Sequence, residues 1–142
     1  MSEEKRMAKR IEADEEITLV LCSGSENTVL AGPFQGLLKN VSKTGAGLLV
    51  SQVVAEPYHL FYTPRDDSSK ILYLQVSFSE EKQLAIPSFP IWMDCDHSIE
   101  ETPFTMGIEF MTKPGDEQVK ELNKLMKEIR KKGDGWLKGL FS

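Results

Sequence analysis

Gly36-Leu37-Leu38-Lys39-Asn40-Val41-Ser42-Lys43-Thr44-Gly45-Ala46-Gly47-Leu48-Leu49-Val50 holds a short polar turn between two apolar runs. Gly36-Leu37-Leu38 leads into the turn and Gly47-Leu48-Leu49-Val50 leads out, so two strands joined by a tight connection are expected. Within the turn, Asn40 offers an amide, Ser42 a hydroxyl, and Gly45 a position without a side chain. Such groups can hydrogen-bond a small polar ligand and let backbone come close. The same residue types dominate ordinary turns, so the turn alone does not indicate binding.

Outward from the turn the chain reads as a series of short strands. Ile17 to Cys22 is rich in β-branched and apolar residues and is expected to be the first. Thr28-Val29-Leu30-Ala31 reads as a short strand ended by Gly32-Pro33, followed by a separate strand from Leu37 to Val41. Leu48–Val53 is the strand after the turn. Residues 54–70 read as loop around Tyr58, Phe61 and Tyr62, a stretch longer than a small barrel requires. Ile71–Phe78 is the clearest strand. Leu84–Ile86 and Ile91–Met93 are strands interrupted by Pro87 and Pro90, which indicates an edge or a bulge. Thr105–Met111 is the last.

The period then changes. Val119, Leu122, Leu125, Met126 and Ile129 recur at helical spacing, with Asp116 as the expected N-cap and Gly133 as the expected stop. The stripe is narrow, so one face should lie against the β body. These features divide the chain into an N-terminal arm (1–16), a β body (17–112), a helix (113–133) and an apolar tail (134–142). Short strands followed by one amphipathic helix indicate a small antiparallel barrel or sandwich with a helix packed on it. The tail around Trp136, Leu137, Leu140 and Phe141 either docks a partner or folds back on the body.

At 142 residues, 40% hydrophobic and 27% charged, the composition is that of a soluble single domain. Cys22 and Cys95 make no disulfide framework, the charged N-terminus lacks a signal-like apolar region, and no stretch has spanning length; a cytoplasmic chain is expected. The net charge of −5 is uneven: residues 1–16 carry −2, residues 17–112 carry −6 and residues 113–142 carry +3. An acidic body argues against general nucleic-acid binding, which needs a basic face. It leaves room for a small anion held by local cations.

Such cations stand in Arg6-Met7-Ala8-Lys9-Arg10, just before the first strand, with Lys5 beside them. A guanidinium can bind phosphate bidentately, bridge the O6/N7 edge of guanine and stack on a base; a lysine offers only a point charge. A charged N-terminus is also common in solvated tails.

Taken together, Arg6-x-x-x-Arg10 and Asn40-x-Ser42-x-x-Gly45 resemble the paired signature of the PilZ domain family. Gly107-Ile108-Glu109-Phe110 resembles its last-strand motif, and a helix follows. The resemblance spans about residues 5 to 130. It implies a six-stranded antiparallel β-barrel with a C-terminal α-helix that binds cyclic di-GMP, a bacterial second messenger. By the same resemblance, Arg6 and Arg10 hold phosphates and guanine edges, with Lys5 and Lys9 secondary. Asn40 meets guanine polar edges, Ser42 adds a hydroxyl contact, and Gly45 admits the ligand. Binding would order the arm and alter contacts with a downstream protein partner. Lys5, at a position where the family often has another basic residue, keeps charge but not the planar fork.

The alternative is a barrel that acts through protein contacts without nucleotide, using the apolar tail and the Tyr58, Phe61, Tyr62 patch. No catalytic triad, nucleophile pair or phosphate-binding glycine loop is evident, so no enzymatic activity is expected. Asp94-Cys95-Asp96-His97 has metal-ligand residue types, but four adjacent residues cannot ordinarily face one ion, and no metal or cofactor is expected. His59 reads as packed or surface.

Overall fold

The computed structural model describes residues 11–95 and 104–141, with side chains from 15 to 95 and from 104 to 129. Its strands are β1 (Ile11–Ser23), β2 (Val29–Val41), β3 (Gly45–Val50), the two-residue β4 (Val54–Ala55) and β5 (Tyr58–His59), β6 (Lys70–Ser77), β7 (Gln83–Cys95) and β8 (Phe104–Phe110). The helices are α1 (Tyr62–Asp66) and α2 (Glu117–Phe141). Six strands close into an antiparallel barrel in the order β1-β2-β3-β8-β7-β6, while β4 and β5 form a separate small ribbon. Closure removes the exposed strand edges that an open sheet of this length would carry.

Alternation along each strand fills the barrel. Leu19 and Leu21 of β1, Leu38 and Val41 of β2, Leu48 and Val50 of β3, Leu72 and Leu74 of β6, Ile86 of β7 and Met106 of β8 are buried in one cluster. The apolar stripe of α2 joins it through Val119, Leu122 and Met126, with Ile129 packed at its margin. Asp116 caps that helix as expected: its carboxylate accepts the N–H groups of Gln118 (2.9 Å) and Val119 (3.1 Å). A fully buried leucine such as Leu122 contributes about 2–5 kcal/mol against truncation to alanine.

Several elements run further than the sequence indicates. β1 begins at Ile11 rather than Ile17, because β2 offers it backbone partners as far as Val41. β2 passes through Gly32-Pro33 instead of stopping there. Gly32 has φ of 109°, and a Cβ there would sit 2.8 Å from the Leu19 carbonyl oxygen, so glycine lets the strand kink and continue. β7 is continuous across Pro87 and Pro90, with a register shift between Pro90 and Trp92. The stretch 54–70 is not plain loop, since it carries β4, β5 and α1. The helix α2 runs through the expected stop at Gly133 to Phe141, so residues 134–141 continue the helix in the backbone.

Candidate functional site

The outer face of the barrel over β2, β3, β8 and β7 carries one lateral row of four positions. Asn40 pairs with Gly47, Gly47 with Gly107, and Gly107 with Trp92. The two central positions have no side chains, and the two flanking ones lean over them. A Cβ on Gly47 would lie 2.9 Å from both Oδ1 and Nδ2 of Asn40, and a Cβ on Gly107 would collide with the Trp92 indole.

Both flanking residues reach this face through β-bulges. In β2, Leu38 and Val41 are both fully buried although three positions apart, which strict alternation forbids. The register shift between Leu38 and Asn40 accounts for it: one extra residue turns Asn40 outward opposite Gly47. In β7, Pro90 is buried opposite Ile108, so two residues on Trp92 would also point inward. The extra residue at Ile91 turns Trp92 outward instead, where it is 47% exposed. An amide with its hydrogen-bonding edge and an indole face thus lie at opposite ends of a floor made of backbone.

The resulting groove has a volume of about 560 Å³ and includes Lys39, Asn40, Thr44, Trp92, Thr105 and Glu109 in its walls. That is within the usual range for small-molecule sites, roughly 300–1,000 Å³. A cleft of about 590 Å³ lies elsewhere on the barrel, lined by Glu15, Glu16, Gln35, Gln75 and Gln83. Its carboxylates, with Glu15 pushed up by burial and by Glu16, make it the poorer place for an anion. In the Asn40–Trp92 groove, Lys39 and Glu109 offset each other, so the walls offer recognition with almost no net charge.

The turn that leads from Asn40 into β3 is built by Ser42. This serine is buried, and its Oγ accepts the N–H groups of Thr44 (3.2 Å) and Gly45 (3.3 Å). It also lies within hydrogen-bond distance of Thr44 Oγ1 (3.2 Å) and the Gly45 carbonyl (3.4 Å). One donor and two lone pairs are therefore engaged inside the turn. Gly45 answers a second constraint: a Cβ there would run into the Ile108 carbonyl of β8. The Ser42 carbonyl accepts Asn123 Nδ2 at 3.0 Å, and the same amide nitrogen donates to the Val119 carbonyl at 2.9 Å. The turn is thereby tied to α2.

Asn40, Ser42 and Gly45 are brought together at one end of the groove. Arg6, Arg10, Lys5 and Lys9 lie outside the described residues. The sequence reading left out Trp92; the signal available was the break in alternation at Pro90-Ile91-Trp92 and a glycine, Gly107, in mid-strand. Asp96 and His97 also lie outside the described residues, and no cluster of metal-ligating side chains occurs among the described ones.

No protein-family model and no curated protein matches the chain. Among solved structures it is similar to the PilZ domain with c-di-GMP of YcgR from Escherichia coli. The TM-score is 0.55 at 15% identity, over 92% of this chain and 98% of that one. The fold is PilZ-like. The PilZ-like elements are the closed six-stranded barrel and its C-terminal helix, the architecture that the resemblance in sequence implies. No described helix is long and apolar enough to cross a membrane.

Proposed function

We propose that this chain is a cyclic di-GMP receptor without catalytic activity, acting in the cytoplasm through a downstream protein partner. The observation that carries the reading is where β1 begins. Ile11 pairs with Val41 and Glu12 with Asn40, beside the polar turn. Arg10 is covalently next to Ile11, and Arg6 is five residues away, about 17 Å at most in extended chain. The near-neutral groove requires cations from outside its walls to hold two phosphates, and in sequence the arginine pair directly precedes the strand end that pairs beside Asn40. The likeness to a PilZ domain that carries c-di-GMP supports the same reading.

In this reading Arg6 and Arg10 hold phosphates and guanine edges, with Lys5 and Lys9 adding charge. Asn40 faces a guanine edge, and Trp92 offers a stacking surface. Ser42 and Gly45 set the turn that presents Asn40. Ordering of the arm over the ligand alters the surface offered to the partner. Calorimetric titration with cyclic di-GMP tests this directly: heat and a raised melting temperature are expected, both lost in Arg6→Ala and Arg10→Ala. Absence of both in the parent protein at high micromolar ligand refutes it.

A second reading, a protein-interaction module without nucleotide, draws on Tyr62, which is 57% exposed and stacks on Phe61 at 5.2 Å. Partner capture that ignores ligand and the arginine changes, but disappears on deleting residues 134–142, would favour it.

A further inference from the structure

Residues 54–66 form an outwork on the barrel, and one side chain links it to the groove. Arg65, in α1, donates from Nη1 to the Pro90 carbonyl at 2.8 Å and reaches the Ile91 carbonyl at 3.4 Å. Its guanidinium lies 4.8 Å from the ring centre of Phe61 and 5.5 Å from that of Phe89. The two carbonyls belong to the bulge that turns Trp92 outward. A bulge interrupts the ladder locally, and Pro90 has no N–H to offer β8. Arg65 gives this interrupted stretch of β7 a donor from outside the sheet.

The outwork is arranged to supply that donor. The Thr63 hydroxyl accepts the His59 N–H at 2.8 Å, while His59 Nδ1 accepts the N–H groups of Phe61 (3.0 Å) and Tyr62 (3.2 Å). Pro64 is buried beneath. These contacts fix the first turn of α1 and so fix where Arg65 begins. Nη1 alone meets both carbonyls, while the planar group lies near two rings; an ammonium can meet the carbonyls but gains less from the rings.

We propose that Arg65 is a positioning residue for Trp92: by holding the Pro90–Ile91 bulge, it sets the indole over Gly107 as one wall of the groove. The functional consequence rests on the groove being the cyclic di-GMP site; the positioning itself does not. The arrangement also gives the outwork a purpose beyond covering the barrel.

The experiment uses the full chain with Trp136→Phe, so that Trp92 is the sole indole. Collisional quenching of Trp92 by acrylamide is measured without ligand, and cyclic di-GMP affinity by calorimetry. Arg65→Ala is expected to change the quenching constant and to weaken binding about tenfold, and Arg65→Lys to restore part of both. Asp116→Ala, which removes the α2 cap and touches neither Arg65 nor the β7 bulge, serves as a destabilised control and should leave the quenching constant at the parent value. Unchanged quenching in Arg65→Ala and in Arg65→Lys overturns the proposal. So does quenching that shifts equally in Asp116→Ala. If the parent does not bind cyclic di-GMP, the receptor reading fails, while the quenching comparison still decides the positioning. If Arg65→Ala does not fold, Arg65→Lys alone is read: a shifted quenching constant with cooperative melting supports the proposal, and the parent value refutes it.

Discussion

Two glycines at the groove separate the needs of folding from those of recognition. A Cβ on Gly45 meets the backbone carbonyl of Ile108, which belongs to the β3–β8 ladder and cannot swing aside. Alanine there forces the strands apart at the cost of one or two ladder hydrogen bonds, about 1–3 kcal/mol. For a domain of this length that lowers the melting temperature by about 3–10 °C. The three atoms nearest a Cβ on Gly107 all belong to the Trp92 indole, a half-exposed side chain rather than ladder backbone. Gly107→Ala should therefore shift melting by under about 3 °C. It displaces the stacking wall, and a base–aromatic stack is worth about 1–3 kcal/mol. Affinity for cyclic di-GMP is then expected to fall by between about fivefold and about 150-fold. Thermal melting and calorimetric titration of the two variants side by side form the assay. Gly107→Ala melting as low as Gly45→Ala, or binding as tightly as the parent, would refute the reasoning.

Other perturbations test the connections around the site. Asn123→Ala removes the amide that bridges Ser42 and Val119, and should cost about 1 kcal/mol by denaturant unfolding while weakening ligand binding through a looser turn. Burial lowers the pKa of His59 below its ordinary 6.5, and its Nδ1 serves as an acceptor only when that nitrogen is unprotonated. The stability from this acceptor is therefore complete above pH 6.5 and declines as pH falls through the depressed value. A melting temperature that drops on acidification from pH 7.5 to 5.5, with a smaller drop in His59→Phe, is the expected result. If the arginines rather than the near-neutral walls hold the phosphates, affinity should fall with added salt in the parent, while Asn40→Ala should lower it by a similar factor at every salt concentration. A flattened salt dependence in Asn40→Ala would show that the amide and the arginines do not divide recognition from charge.

Much of the barrel is legible because inward and outward residues alternate, and the α2 stripe because its period differs. The positions that depart from alternation are the ones that sequence reading places least well. Gly32-Pro33 resembles a terminator, but it ends a strand only if no neighbour can pair across it; Leu19 comes close enough that glycine preserves the passage. The prolines of β7 mark irregularity, and the bulge is there. What the bulge accomplishes depends on Gly107, fifteen residues later in sequence and directly opposite in space. Likewise Gly133 looks like a helix stop because glycine is a poor helix former by about 1 kcal/mol. That local preference does not decide the backbone of α2, which continues to Phe141.

The roles within the Asn40–Gly45 motif also become distinct once partners are known. An amide, a hydroxyl and a glycine in a turn invite a single explanation, that all three meet a ligand. Ser42 is engaged with its own turn, and Gly45 yields to the Ile108 carbonyl. Asn40 presents its side chain to the groove floor, over Gly47. The motif's spacing therefore follows from construction. A bulge must put Asn40 outward, a serine must close the turn three residues before the strand can come against β8, and a glycine must stand where β8 leaves no room. The contact surface is then completed across the sheet by Trp92, through a second bulge on the far side of the same two glycines. A groove framed by two bulges keeps its floor bare, and the side chains at Asn40 and Trp92 that flank it stand outside the buried barrel core.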